Sequence, residues 1–181
     1  MNFKNTNQKL KIILSVGDES GIGPEIILKA LYSNEIPENI DFTLVGSREN
    51  LQNTYSHLRS LGLKNLANPD NLQIHDLGIS LSENESKASY GNSSFLYLTK
   101  AIEIVKQYPN SALVTGPICK KSWSLAGHYF SGQTELLAKS CGVKNVGMLF
   151  TAKSPITGWR FNTLLATTHI ALSEVPKKLT K

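Results

Sequence analysis

An apolar run, Leu10-Lys11-Ile12-Ile13-Leu14-Ser15-Val16, breaks directly into Gly17-Asp18-Glu19-Ser20-Gly21-Ile22-Gly23-Pro24-Glu25, and this junction constrains the fold more than any other part of the sequence. The β-branched run has the composition of a strand buried on both faces, as strands of parallel sheets are. Pro24 suits the first turn of a helix, where no N–H partner is lost, and Glu25 puts negative charge at the positive end of the helix dipole. Ile26, Ile27, Ala30 and Leu31 continue an apolar face at helical spacing, with Lys29 outside it. The unit reads strand, glycine turn, helix. Glycines in such a turn let a ligand approach the N–H groups at a helix N-terminus. The spacing of Gly17, Gly21 and Gly23 fits neither a dinucleotide fingerprint nor a P-loop, so anion binding and a plain tight connection both stand.

Downstream the alternation continues. Phe42-Thr43-Leu44-Val45-Gly46 predicts a second strand, residues 50–61 a helix closed by Gly62, and Leu72-Gln73-Ile74-His75-Asp76-Leu77 a third strand. The polar stretch from Ser80 to Asn92 predicts an exposed loop. Phe95, Leu98, Ala101, Ile102 and Val105 mark an amphipathic helix that ends before Pro109. Ser111-Ala112-Leu113-Val114-Thr115 reads as another buried strand, stopped by Gly116-Pro117 in the kind of strand-end turn where open α/β sheets build sites. Residues 133–141 predict a helix capped by Gly142, and residues 146–151 and 162–168 two strands connected through Pro155 and Gly158. Ser173, ahead of Glu174 and Pro176, predicts the N-cap of a last helix. The pattern predicts an α/β layered fold with a largely parallel sheet, flanking helices and one hairpin.

A chain of 181 residues is long enough to bury a substantial core. The net charge is +5, but the lysines are scattered, with the densest cluster at Lys177-Lys178 and Lys181, which favours anionic small molecules over nucleic acid. Cys119 and Cys141 form no CxxC pair and no disulfide framework, so a reduced, cytoplasmic setting is expected. Residues 1–10 predict a flexible tail without the apolar core of a signal peptide, and no apolar run approaches the roughly 20 residues that span a bilayer. Neither a membrane nor a nucleic-acid partner is expected.

Four segments line up: Gly17 to Glu25, Val114-Thr115-Gly116-Pro117-Ile118-Cys119-Lys120, Phe130-Ser131-Gly132-Gln133-Thr134-Glu135, and Ala166-Thr167-Thr168-His169. Together they resemble the 4-hydroxythreonine-4-phosphate dehydrogenase family of pyridoxal-phosphate biosynthesis, whose members carry GDPxGIGPE, TGP-x-x-K, GHTE and TTH in this order. The resemblance runs from about Lys11 to the last residue. It implies a fold similar to the isocitrate and isopropylmalate dehydrogenases, with two α/β domains around a cleft in a homodimer. It also implies oxidation of 4-phosphooxy-L-threonine by NAD or NADP, with decarboxylation to 3-amino-2-oxopropyl phosphate. A divalent metal (zinc, magnesium or cobalt) held by three histidines would polarise the alcohol and hold the enolate.

Within that resemblance His169 matches the first metal histidine, while His57, His75 and His128 lack ligand-like spacing. Thr134 matches a substrate-binding threonine, its hydroxyl suited to phosphate or carboxylate oxygens. Gln133 stands where the family usually has histidine; it donates and accepts hydrogen bonds but carries no proton near neutral pH. Lys120 is placed to meet a phosphate or carboxylate as a point charge, although a solvated surface lysine is the ordinary alternative. The substrate-side residues are therefore Gln133, Thr134 and Lys120. Helix electrostatics account for Glu25 and Glu135 without catalysis, Asp18 is open to a structural or a functional reading, and Cys119 shows no base partner.

Family members are considerably longer, so residues 11–181 are expected to be the N-terminal portion of a two-domain dehydrogenase, incomplete at the C-terminus and weakly active or inactive alone. Two other readings stand beside this one. Gln133 permits a dehydrogenase of another phosphorylated four-carbon hydroxy acid, and the missing groups permit a non-catalytic remnant that acts as a binding module.

Overall fold

A computed structural model describes residues 9–33, 36–81, 85–167 and 170–179. The chain divides into two compact units, Met1–Gln133 and Thr134–Lys181. In the first, β1 (Leu10–Ser15), α1 (Gly23–Ala30), β2 (Ile40–Gly46), α2 (Arg48–Ser60), β3 (Ile74–Asp76), α3 (Lys87–Val105), β4 (Ser111–Thr115) and α4 (Lys120–Leu125) follow in order. The four strands form one parallel sheet in the order β3-β2-β1-β4. The expected buried strand is the centre of this sheet, with Ile13 and Val16 fully enclosed.

Strand alternation divides the core between the two faces. Leu14 of β1, Val16 just after it and Leu44 of β2 pack with Ile27 and Leu28 of α1 and Leu51 and Leu58 of α2. Ile13 and Val45, on the other face, pack with Tyr97 and Ala101 of α3. Layers of helix, sheet and helix result. The helices are capped as their sequences dictate: the Ser47 hydroxyl accepts from the Asn50 N–H at 3.1 Å, and Gly62 closes α2 at φ +88°.

Residues 87–92 belong to α3 and not to the loop expected from Ser80 to Asn92. Ser86 caps this helix by accepting from the Ser89 N–H at 3.1 Å. The small residues that look like turn formers are small because α4 lies on them. A Cβ on Gly91 would sit 2.9 Å from the Trp123 nitrogen and closer still to the Ser122 carbonyl oxygen. Ser94 accepts the Trp123 indole N–H at 2.8 Å. Tertiary packing has overridden local propensity. The third strand is shorter than its expected span, 72–77, because only Ile74–Asp76 pairs with β2. β4 is not buried on both faces: as an edge strand it leaves Val114 45% exposed and Ala112 exposed.

In the second unit α5 (Gln133–Cys141, its first residue in the first unit) is followed by Gly142 at φ +66°. The expected strands at 146–151 and 162–168 form the anticipated antiparallel hairpin, but as β5 (Leu149–Lys153) and β6 (Arg160–Leu164). The pairing is set by a short turn in which the Ser154 N–H donates to Trp159 O at 2.8 Å. Ser173 is not an N-cap. It lies inside a 3-10 turn, Leu172–Glu174, and Glu174 caps the four-residue α6 (Val175–Lys178), where it pairs with Lys177 at 2.8 Å.

Candidate functional site

The chain runs β1, β2, β3 outward on one side of the sheet and returns through α3 to lay β4 on the other side of β1. Strand order therefore reverses between β1 and β4, and the carboxyl ends at such a reversal are where open α/β sheets place ligands. The two turns found there are the opening glycine turn and Thr115-Gly116-Pro117.

These turns are bound to each other. Gly116 N–H donates to Ser15 O at 2.7 Å and Asp18 N–H to Pro117 O at 2.9 Å. Gly17 sits at φ +83°, and a Cβ on it would lie 2.8 Å from the Gly116 carbonyl carbon and closer still to Pro117 O. The close approach of backbone to backbone is what glycine permits here. Asp18 is 5% exposed, and its Oδ1 accepts from the Ser20 N–H at 3.0 Å and the Ser20 hydroxyl at 2.7 Å. Glycines filled by backbone and flanked by buried carboxylates do not form a phosphate cradle. Of the two readings of this turn, the plain connection is the better one, and no dinucleotide site is assigned to it.

Glu19 was not singled out by the sequence, although a carboxylate between a buried strand and a helix is a signal in itself. It is 7% exposed and accepts the Tyr97 hydroxyl at 2.8 Å, a partner 78 positions away. Burial pushes its carboxyl up from 4.5 to about 7; the Tyr97 and Ser47 hydrogen bonds oppose this, and the nearby Asp18 and Asp76 add to it. Burial likewise pushes the Tyr97 phenol up, followed by the charge of Glu19. Glu19 edges a cavity of 430 Å³ that Glu25, Glu49, Asn50 and His57 also line, an acidic setting unsuited to a phosphoryl group.

A consequence for stability follows. In the unfolded chain Glu19 ionises near 4.5, whereas in the folded protein it holds its proton to about 7. Stability is then lost as pH rises through that window, and the penalty is full above it. The shift corresponds to about 3 kcal/mol. Glu19→Gln keeps an acceptor for Tyr97 but replaces one oxygen by a donor, so it is expected to gain about 1–2 kcal/mol over the parent at pH 8 and nothing near pH 4. Urea unfolding across that range checks it; a parent whose stability is flat between pH 4.5 and 7 contradicts it.

Gln133, in the first turn of α5, turns its amide onto the strand-end turn: Thr115 Oγ1 donates to its Oε1 at 2.8 Å, and its Nε2 donates to Gly116 O at 2.8 Å. Lys120 is exposed at the first position of α4 and makes no ion pair among the described residues. The structure thus brings Gln133 to the turn that leads into Lys120. Thr134 is partly buried in the first turn of α5, in the other unit. His169 and Thr168 lie outside the described residues, and among the described residues no three His, Cys, Asp or Glu side chains assemble to hold a metal. His57 and His75 are exposed on α2 and β3. His128 stacks on Phe95 with ring centres 3.7 Å apart and hydrogen-bonds Asn92 at 2.9 Å; burial pushes its pKa down, as for a neutral packed ring. Hydrogen bonds from the Ser122 side chain, then its backbone, lower the Cys119 thiol.

The fold and the turns define an open parallel α/β protein with its candidate site at a strand-order reversal. A family model, that of pyridoxal phosphate biosynthetic protein PdxA, matches residues 38–181. A 4-hydroxythreonine-4-phosphate dehydrogenase of Synechococcus sp. is 46% identical over 172 residues, covering 94% of this chain and 52% of the relative. One of Nostoc sp. is 44% identical over 185 residues, covering 97% and 51%. The crystal structure of a 4-hydroxythreonine-4-phosphate dehydrogenase from Burkholderia phymatum shares the fold at TM-score 0.76 and 22% identity, covering 93% of this chain and 53% of that one. The Klebsiella pneumoniae structure does so at TM-score 0.74 and 24% identity, covering 97% and 55%. The chain belongs to the PdxA family. It spans about half the length of the curated relatives it matches.

Proposed function

We propose that the chain supplies the N-terminal portion, residues 11–181, of a two-domain dehydrogenase that oxidises 4-phosphooxy-L-threonine and decarboxylates the product in pyridoxal-phosphate biosynthesis. The observation that carries this reading is the 46% identity to a relative bearing that name, together with four motifs in family order. Lys120, Thr134 and Gln133 are the proposed substrate-side residues, each on its motif; the exposed cation of Lys120 suits a phosphoryl group. NAD or NADP is the proposed oxidant, with its binding residues unassigned. His169 is the proposed ligand of a divalent metal, which when bound would supply electrophilic stabilisation of the developing charge.

A homodimer in the cytoplasm completes the proposal. Its support is the β5–β6 hairpin, which leaves Leu149, Phe150, Trp159, Phe161 and Leu164 each at least 49% exposed. An isolated hairpin is marginal in water, and an apolar surface of this kind suits burial against a second copy. The test is a chimera in which residues 11–181 replace the matching part of the Nostoc relative. It is expected to sediment as a dimer and to form NAD(P)H from 4-phosphooxy-L-threonine in preference to other phosphorylated four-carbon hydroxy acids. Preference for one of the others would reassign the substrate.

A further inference from the structure

The Gln133 amide spends one acceptor and one donor on two consecutive residues of the Thr115-Gly116 turn, both at 2.8 Å. The bonds span 18 and 17 positions, so they close the base of the segment 116–132. That segment carries Pro117, whose carbonyl holds the opening turn through Asp18 N–H, and Lys120, an exposed cation with no ion pair among the described residues. Between its ends the segment is packed by Trp123 and Phe130 against Phe95 of α3. The packing fixes the middle of the segment, and the amide fixes its two ends.

We infer that Gln133 serves the substrate side as a positioning residue: its amide latches the end of β4 to the start of α5 and so sets the turn that presents Lys120. The inference rests on the proposed substrate for its ligand, but the latch is independent of it. An amide serves this role at every pH, because neither its donor nor its acceptor titrates. Thr115, the last residue of β4, is then part of the same device, a role no motif assigns to it.

The test uses the full chain as Gln133→Ala, Thr115→Val, the double variant and Gln133→His. Without ligand, hydrogen exchange at Asp18 N–H, bonded to Pro117 O, is expected to quicken about tenfold in Gln133→Ala and less in Thr115→Val. In the chimera carrying residues 11–181, calorimetric titration with 4-phosphooxy-L-threonine is expected to weaken about tenfold for Gln133→Ala, and the double variant to be no worse, as for two members of one device. Gln133→His is expected to follow the wild-type pH dependence of affinity between pH 5.5 and 8, within about twofold. Unchanged exchange in Gln133→Ala overturns the latch. Additive losses overturn it too, as does a histidine variant that gains about tenfold over wild type on acidification, since an imidazolium would then be meeting the phosphoryl group. A folded chimera carrying wild-type residues 11–181 that binds no 4-phosphooxy-L-threonine overturns the functional reading, and the exchange data then decide the latch alone.

Discussion

Gly17→Ala is expected to destabilise the protein by about 3 kcal/mol or more, from two independent costs. At φ +83° any L side chain is strained, which costs about 1–2 kcal/mol. The methyl group must also displace the Gly116-Pro117 backbone, 2.8 Å away or closer, and such overpacking costs about 1–3 kcal/mol. Backbone on both sides cannot rotate aside as a side chain can. Asp18 N–H to Pro117 O and Gly116 N–H to Ser15 O would be strained together, so the loss extends to the switch point of the sheet. Gly62→Ala supplies the control. Its φ of +88° is nearly the same, but nothing lies within 4 Å of the new methyl, so only the first cost of about 1 kcal/mol applies. Urea midpoints of the two variants against wild type measure the difference; equal losses would show that the packing of the two turns contributes nothing.

This explains what could and could not be read in the sequence. The β1–α1 unit was legible because strand, turn and helix signals agree over consecutive residues, from Ile12 through Leu31. The site's location was legible as well, since glycine and proline punctuate both β1 and β4 at their carboxyl ends. The purpose of those glycines was not, because what fills the space beside Gly17 is a carbonyl 100 positions away at Pro117. The first turns of α3 misled for the same reason: Gly91 and Ser94 are small on account of Ser122 and Trp123, which no local pattern reveals. β4 misled differently. Ala112 and Val114 are apolar whether or not anything covers them, so composition could not separate an edge strand from a buried one. Glu19 and Gln133 gained their roles from Tyr97, Thr115 and Gly116 through contacts distant in sequence.

The largest expected effect on the proposed activity is that of His169→Ala. The proposed reaction develops negative charge at the substrate oxygen, first on oxidation of the alcohol and again on loss of carbon dioxide, and a divalent metal is the group that would stabilise both. On the proposed reading of His169 as a metal ligand, its removal would deplete the site of metal. The lost activity would therefore track lost metal, with the fold intact. His57→Ala, by contrast, alters an exposed ring on α2 and is expected to leave turnover unchanged. The direct measurement is NAD(P)H formation from 4-phosphooxy-L-threonine by the chimera carrying residues 11–181, before and after removal of divalent metal, in parent, His57→Ala and His169→Ala forms. Turnover in the parent and in His57→Ala that is abolished by chelation, restored by added metal and absent from a folded His169→Ala variant is the predicted result. A folded, dimeric chimera that makes no NAD(P)H, or one whose turnover is indifferent to His169→Ala, would contradict it.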